Sequence, residues 1–102
     1  MPATFYDFDW DTGKARTNLA KHGVSFRLAT SVFRDPLALT LYDDEHSEQE
    51  ERWVTLGQAE NGQTLVVIHT ARWLKPTEIA VRIISARKAD PAEYRDYMNV
   101  PR

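Results

Sequence analysis

Apolar and polar positions along this 102-residue chain repeat with two different periods, and the switches between them mark its elements. TFYDF (4–8) is rich in aromatic residues and predicts a short strand. In DWDTGKARTNLAKHG (9–23), Ala15 and Leu19 are four apart, the spacing of one helical face. Asp9 or Asp11 stands where an N-cap is needed, and Gly23 stands at the other end. SFRLATSVFRDP (25–36) predicts a second helix, with Ser25 as cap and Phe26, Ala29 and Phe33 as its buried stripe. Pro36 stops it, because the residue before a proline is pushed out of the helical region. Only HGVS separates the two helices, so a helical hairpin is expected.

The period then falls to two. Leu37, Leu39 and Leu41 of LALTLY (37–42) share one face and predict a half-buried strand. RWVTLGQ (52–58), TLVVIHTARW (64–73) and IAVRIISAR (79–87) follow as strands, the second of them central. Asn61-Gly62 is a hairpin signal, and LKPTE is a turn. At DPAE, Asp90 is a cap, Pro91 the first helical residue and Glu93 the third, the pattern of a capping box opening a last helix. The order β-α-α-β-β-β-β-α predicts a single α+β domain over 1–102, a small antiparallel sheet with helices packed on it.

Composition narrows the chemistry. There is no cysteine, which removes disulfides, thiolate metal sites and cysteine nucleophiles. The net charge is only −2, so overall charge makes no case for nucleic acid. Its distribution is uneven: residues 71–102 carry seven basic against four acidic side chains, and residues 1–70 six against eleven. An anionic ligand near the C-terminal third is thereby permitted. The first residues have neither a basic nor an apolar leader region, and the longest apolar run is LVVI. A soluble, cytoplasmic chain without membrane contact is expected.

VRIISARKA (81–89) raises the main question, since a strand this apolar carries Arg82, Arg87 and Lys88. In a regular strand Arg82 and Arg87 point to opposite faces, and they converge only at a bulge or a strand end. Either can also pair with a carboxylate such as Glu51, Glu78 or Glu93. His69 shares a face with Leu65 and Val67 and reads as a hydrogen-bonded core residue or a proton-transfer group. His22, in the last turn of a helix, reads as a capping contact or a site residue. His46 lies in DDEHSEQEE (43–51), whose six carboxylates match no metal-ligand spacing. Arg52 alternates with Val54, opposite Glu51 and Trp53, and offers a planar fork for phosphate. Trp53 and Trp73 read as core residues or stacking platforms. No glycine-rich phosphate loop, nucleophile elbow or metal-spaced histidine pair is present, which disfavours nucleotide-binding, serine-hydrolase and metalloprotease readings.

FDWDTGKARTNLAKHGVSF, VFRDP, DDEHSEQEERWVTLG, LVVIHT and RIISARKA stand in this order over roughly residues 5–97, and together they resemble the BrnT family of type II toxin–antitoxin toxins. The resemblance implies a RelE-like fold and a ribonuclease that arrests translation and growth without metal or cofactor. It implies a BrnA-like ribbon-helix-helix antitoxin as partner, with operator DNA reached only through the complex. Cleavage to a 2′,3′-cyclic phosphate needs a base for the 2′-hydroxyl, a cation for the phosphorane and an acid for the leaving oxygen. The family blocks place Lys21, His22, His46, Glu51, Arg52, His69, Arg82 and Arg87 as candidates. Arg87, Arg82, His69, Arg52 and Glu51 are expected to be catalytic, and Lys21, His22, Lys88 and Arg72 to bind RNA. Arg87, at the strand end before a helix N-terminus, is the residue expected to floor the anion site. Trp53, Trp73 and Leu74 are expected at the antitoxin contact. The competing reading is an inactive RelE-like binding module acting as co-repressor with its antitoxin.

Overall fold

The computed structural model describes residues 4–46 and 50–101. Its elements are β1 (Phe5–Trp10), α1 (Thr12–His22), α2 (Phe26–Thr30), β2 (Leu39–Tyr42), β3 (Trp53–Gln58), β4 (Thr64–Lys75), β5 (Glu78–Lys88) and α3 (Pro91–Asn99). Short 3-10 turns at Ser31–Arg34 and Asp44–His46 punctuate them. The His46 side chain and residues 47–49 of the acidic loop lie outside the described residues, and with them the question of metal ligands there.

The five strands form one sheet in the order β1-β5-β4-β3-β2. From β2 to β5 each strand is antiparallel to the next, as a meander requires. β1, however, pairs with β5 in parallel, so the sheet is mixed and not the purely antiparallel one expected. The helical hairpin carries the chain from β1 at one edge to β2 at the other, and the meander then returns to β1 in the same direction. That closure is a long-range fact with no local signature.

The local signals act where expected. Asp11, not Asp9, caps α1 by accepting from the Lys14 amide at 2.8 Å, and Gly23 adopts the left-handed conformation (φ 69°) that closes it. Asp90 and Glu93 form a complete capping box on α3. Two stripes are corrected. Leu19 is exposed, and Asn18 is the buried residue of α1. Leu37 and Leu41 are exposed because β2 is the outer strand, with only Leu39 packing inward.

Alternation divides the sheet into two faces. One carries Phe8, Trp10, Leu65, Val67, Val81, Ile83 and Ala86, and packs against Val24, Phe26, Ala29 and Val32 of the helical hairpin to make the main core. The other carries Leu56, Val66, Val54 and Ile68, and is covered at one end by α3 through buried Tyr97. Asp35 fastens this second layer: its carboxylate accepts from the Gln58 amide and the Tyr97 hydroxyl. No described helix lies over the far end of this face.

Candidate active site

A bulge decides which side chains share the second face. The β4–β5 register runs regularly from Leu65↔Lys88 to Ile68↔Ser85, then shifts so that His69 faces Ile83 and Ile84 has no partner. One extra residue reverses the alternation. Arg82 and Arg87, five apart and opposed in a regular strand, therefore lie on one face: Arg82 opposite Thr70, Arg87 opposite Val66. Asn18 pins the strand just beyond the bulge. Its Nδ2 donates to the carbonyls of Val24 and Ala86, and its Oδ1 accepts from the Ala86 amide. β1 ends its pairing at Ile83, so the Asn18 amide serves as a short substitute strand for the exposed edge of β5.

The two arginines meet different surroundings. Arg87 makes a bidentate pair with Glu93, at 2.7 and 2.9 Å, under the first turn of α3. This hydrogen bonding is the main reason the Glu93 carboxyl sits below the usual carboxylate range. Arg82 lies at the uncovered end. It lines a groove of about 490 Å³ with Arg72, Thr70, Asp7, Asp9, Glu50 and Glu51. Among the described residues, neither Arg82 nor Arg72 has a side-chain hydrogen bond or ion pair. The register orders the groove floor into rows. Asp9, Arg82 and Thr70 stand side by side on β1, β5 and β4; one pleat along, Asp7 and Arg72 flank Ala80. The small alanine leaves the floor open between them.

The fold gathers some of the candidates read from the sequence and disperses others. Arg82, Arg72 and Glu51 come together in the groove. Arg52 stands just before β3, half-buried, with its carbonyl accepting from the Asp43 amide. Lys88 is exposed at the end of β5. Lys21 and His22 line a separate groove with Lys14, Thr17 and Ser85, beside the β5 edge.

His69 does not join the arginines. It is 2% exposed on the helical face, with its ring edge-on to Phe33 at 4.9 Å. Its Nδ1 lies 3.0 Å from the Thr70 carbonyl, which can only accept, so this nitrogen carries the proton. Burial pushes the His69 pKa below its usual value and so favours the neutral ring. In that form Nε2 accepts from the Thr55 hydroxyl at 2.7 Å, and Thr55 in turn accepts from Thr40. Trp53 packs edge-on against Tyr42, whereas Trp73 (61% exposed) and Leu74 project at the tip of the β4–β5 hairpin. Asp7, Asp9 and Thr70 also line the groove and are not among the candidates read from the sequence; for the two aspartates, alternation with Phe8 and Trp10 is the available signal.

The fold and groove define a small α+β protein with an arginine-bearing sheet face, and comparison with known proteins supplies the class. The family model described as "Ribonuclease toxin, BrnT, of type II toxin-antitoxin system" matches residues 10–93. The chain thus belongs to the BrnT family. It is similar to the 1.1 Å crystal structure of the Brucella abortus ribonuclease toxin BrnT, with 25% identity and a TM-score of 0.54, over 85% of this chain and 99% of that one. No curated protein matches it. Family membership implies a protein antitoxin as partner. No helix among the described residues is long and apolar enough to cross a membrane.

Proposed function

We propose that the protein is a cytoplasmic RelE-like endoribonuclease that cleaves RNA without metal and thereby inhibits translation and growth. The observation that carries this reading is the pair Arg82 and Arg72, open in one groove and engaged by no described carboxylate. Arg82 stabilises the charge that develops on the phosphorane, and Arg72 holds a neighbouring phosphate. Arginine does this at no protonation cost. Glu51 and the other groove carboxylates supply proton transfer, and the product is a 2′,3′-cyclic phosphate. Lys21, His22 and Lys88 extend the cationic surface along the RNA. Arg87 acts through α3, which its pair with Glu93 holds on the sheet, and Arg52, just before β3, is a further cation next to Glu51 in the chain. His69 has a positioning role through Thr70.

A BrnA-like ribbon-helix-helix antitoxin neutralises the toxin, and the pair reaches operator DNA through the antitoxin. Exposed Trp73 and Leu74, with Trp53 nearer the core, supply apolar anchors for that contact. The test is incubation of the purified protein with RNA in a chelator, followed by end analysis. Cyclic-phosphate ends formed in the chelator support the reading; cleavage that requires a divalent ion contradicts it. One observation favours the second reading, an inactive binding module acting as co-repressor. Among the described residues, four carboxylates line the groove against two arginines, a balance that repels a polyanion. Induced expression without antitoxin separates the two, since only an active toxin arrests growth.

A further inference from the structure

The surplus of carboxylates in the groove has a use if one of them removes a proton. We propose that Asp9 is the general base of the cleavage reaction, an inference that rests on the ribonuclease reading above. Four described carboxylates line the groove, and the register separates them. Asp9 is the direct β1 neighbour of Arg82, on the same face and one strand spacing away. Asp7 is one pleat further along and has Ala80 beside it in place of a cation. Glu50 and Glu51 precede β3, two strands away from β5.

The reaction sets the geometry required. A phosphate held by Arg82 carries the ribose whose 2′-oxygen must attack it, so the base belongs immediately beside the cation, not beyond it. Asp9 meets that condition. It is exposed, and no described residue forms a hydrogen bond or ion pair with its side chain, leaving the carboxylate available to a substrate hydroxyl. Thr70, on the other side of Arg82 in the same row, can hydrogen-bond a phosphate oxygen.

In the step itself, the Asp9 carboxylate takes the 2′-hydroxyl proton as the 2′-oxygen forms its bond to phosphorus. The bond from phosphorus to the 5′-oxygen breaks, and that oxygen leaves with a proton from water. Asp9 then returns its proton to solvent. The products are a 2′,3′-cyclic phosphate and a 5′-hydroxyl.

A general base and a merely repulsive carboxylate give opposite results when neutralised. The experiment compares single-turnover cleavage of one oligoribonucleotide by wild type, Asp9→Asn, Asp9→Glu and Glu51→Gln. Binding is measured with the 2′-deoxy analogue, which cannot react. Asp9→Asn is expected to slow cleavage at least about 100-fold. It should bind the analogue as tightly as wild type or more tightly, and lose the low-pH limb of the rate profile. Asp9→Glu should recover part of the rate. Because the side chain is exposed, the thermal midpoint of Asp9→Asn should match wild type. Asp9→Asn cleaving as fast as wild type, or faster through relieved repulsion, overturns the assignment. So does a larger loss in Glu51→Gln than in Asp9→Asn. If wild type itself cuts no RNA, the ribonuclease reading fails first, and that outcome is distinct from an active Asp9→Asn.

Discussion

The second face of the sheet ends in two different ways. Under α3, Arg87 is gripped by Glu93, and Tyr97 closes the layer over Leu56 and Val66. At the other end Arg82 and Arg72 face an open groove with no described partner. Both ends have arginines on the same strand face, and both have carboxylates nearby. The difference is the helix. A bidentate acid in a fixed cap uses up the fork of Arg87, while the carboxylates near Arg82 stand on a neighbouring strand and a loop, outside pairing distance. Cations of one type, five residues apart, thus serve cohesion at one end and availability at the other.

The largest effect expected from breaking this contrast is on catalysis. Arg82→Ala should lower the single-turnover cleavage rate by about 100- to 1,000-fold, the usual loss for one transition-state donor, with the thermal midpoint unchanged. Next is the device that phases the two arginines. Asn18→Ala removes three buried hydrogen bonds and leaves the Ala86 amide and carbonyl without them. At about 1 kcal/mol for each, this should cost about 3 kcal/mol in urea unfolding. Because Asn18 holds the strand beside the bulge, cleavage by the folded fraction should fall as well.

At the closed end the effects are smaller. The Arg87 side chain is 43% exposed, so solvent screens its pair with Glu93, and Arg87→Ala should cost about 1 kcal/mol. The Glu93 carboxyl is held below its ordinary value, so the pair's contribution is complete above about pH 4.5 and is lost as pH falls through the lowered folded value. The stability difference between wild type and Arg87→Ala should therefore shrink in acid. His69 gives the mildest signal. Its folded pKa lies below 6.5, so the unfolded chain binds the proton more readily. Stability due to the neutral ring is complete above pH 6.5 and is lost as pH falls through the folded value. The thermal midpoint should drop over that window in wild type and not in His69→Gln.

Much of the fold is legible in local chemistry. The caps at Asp11, Ser25 and Asp90, the stop before Pro36 and the alternating strands depend on neighbours within a few positions, and they form as the residues dictate. What is not legible depends on distant partners. The parallel seating of β1 is set by where the helical hairpin returns the chain. The bulge at Ile84 is a mismatch between β4 and β5, invisible in either strand alone. The site was half legible for that reason. Arginines on β5 could be named, but not which of them α3 would occupy. Asp9 could be placed on a strand face only once β1 was known to run to Trp10.

Anions should enter the open end and not the closed one. Titration of the 2′-deoxy oligonucleotide into the labelled protein, following arginine Nε–H resonances by NMR, tests it directly. Arg82 and Arg72 should shift progressively to saturation while Arg87 stays at its free position, still paired to Glu93. Movement of Arg87 with Arg82 and Arg72 unchanged would contradict it.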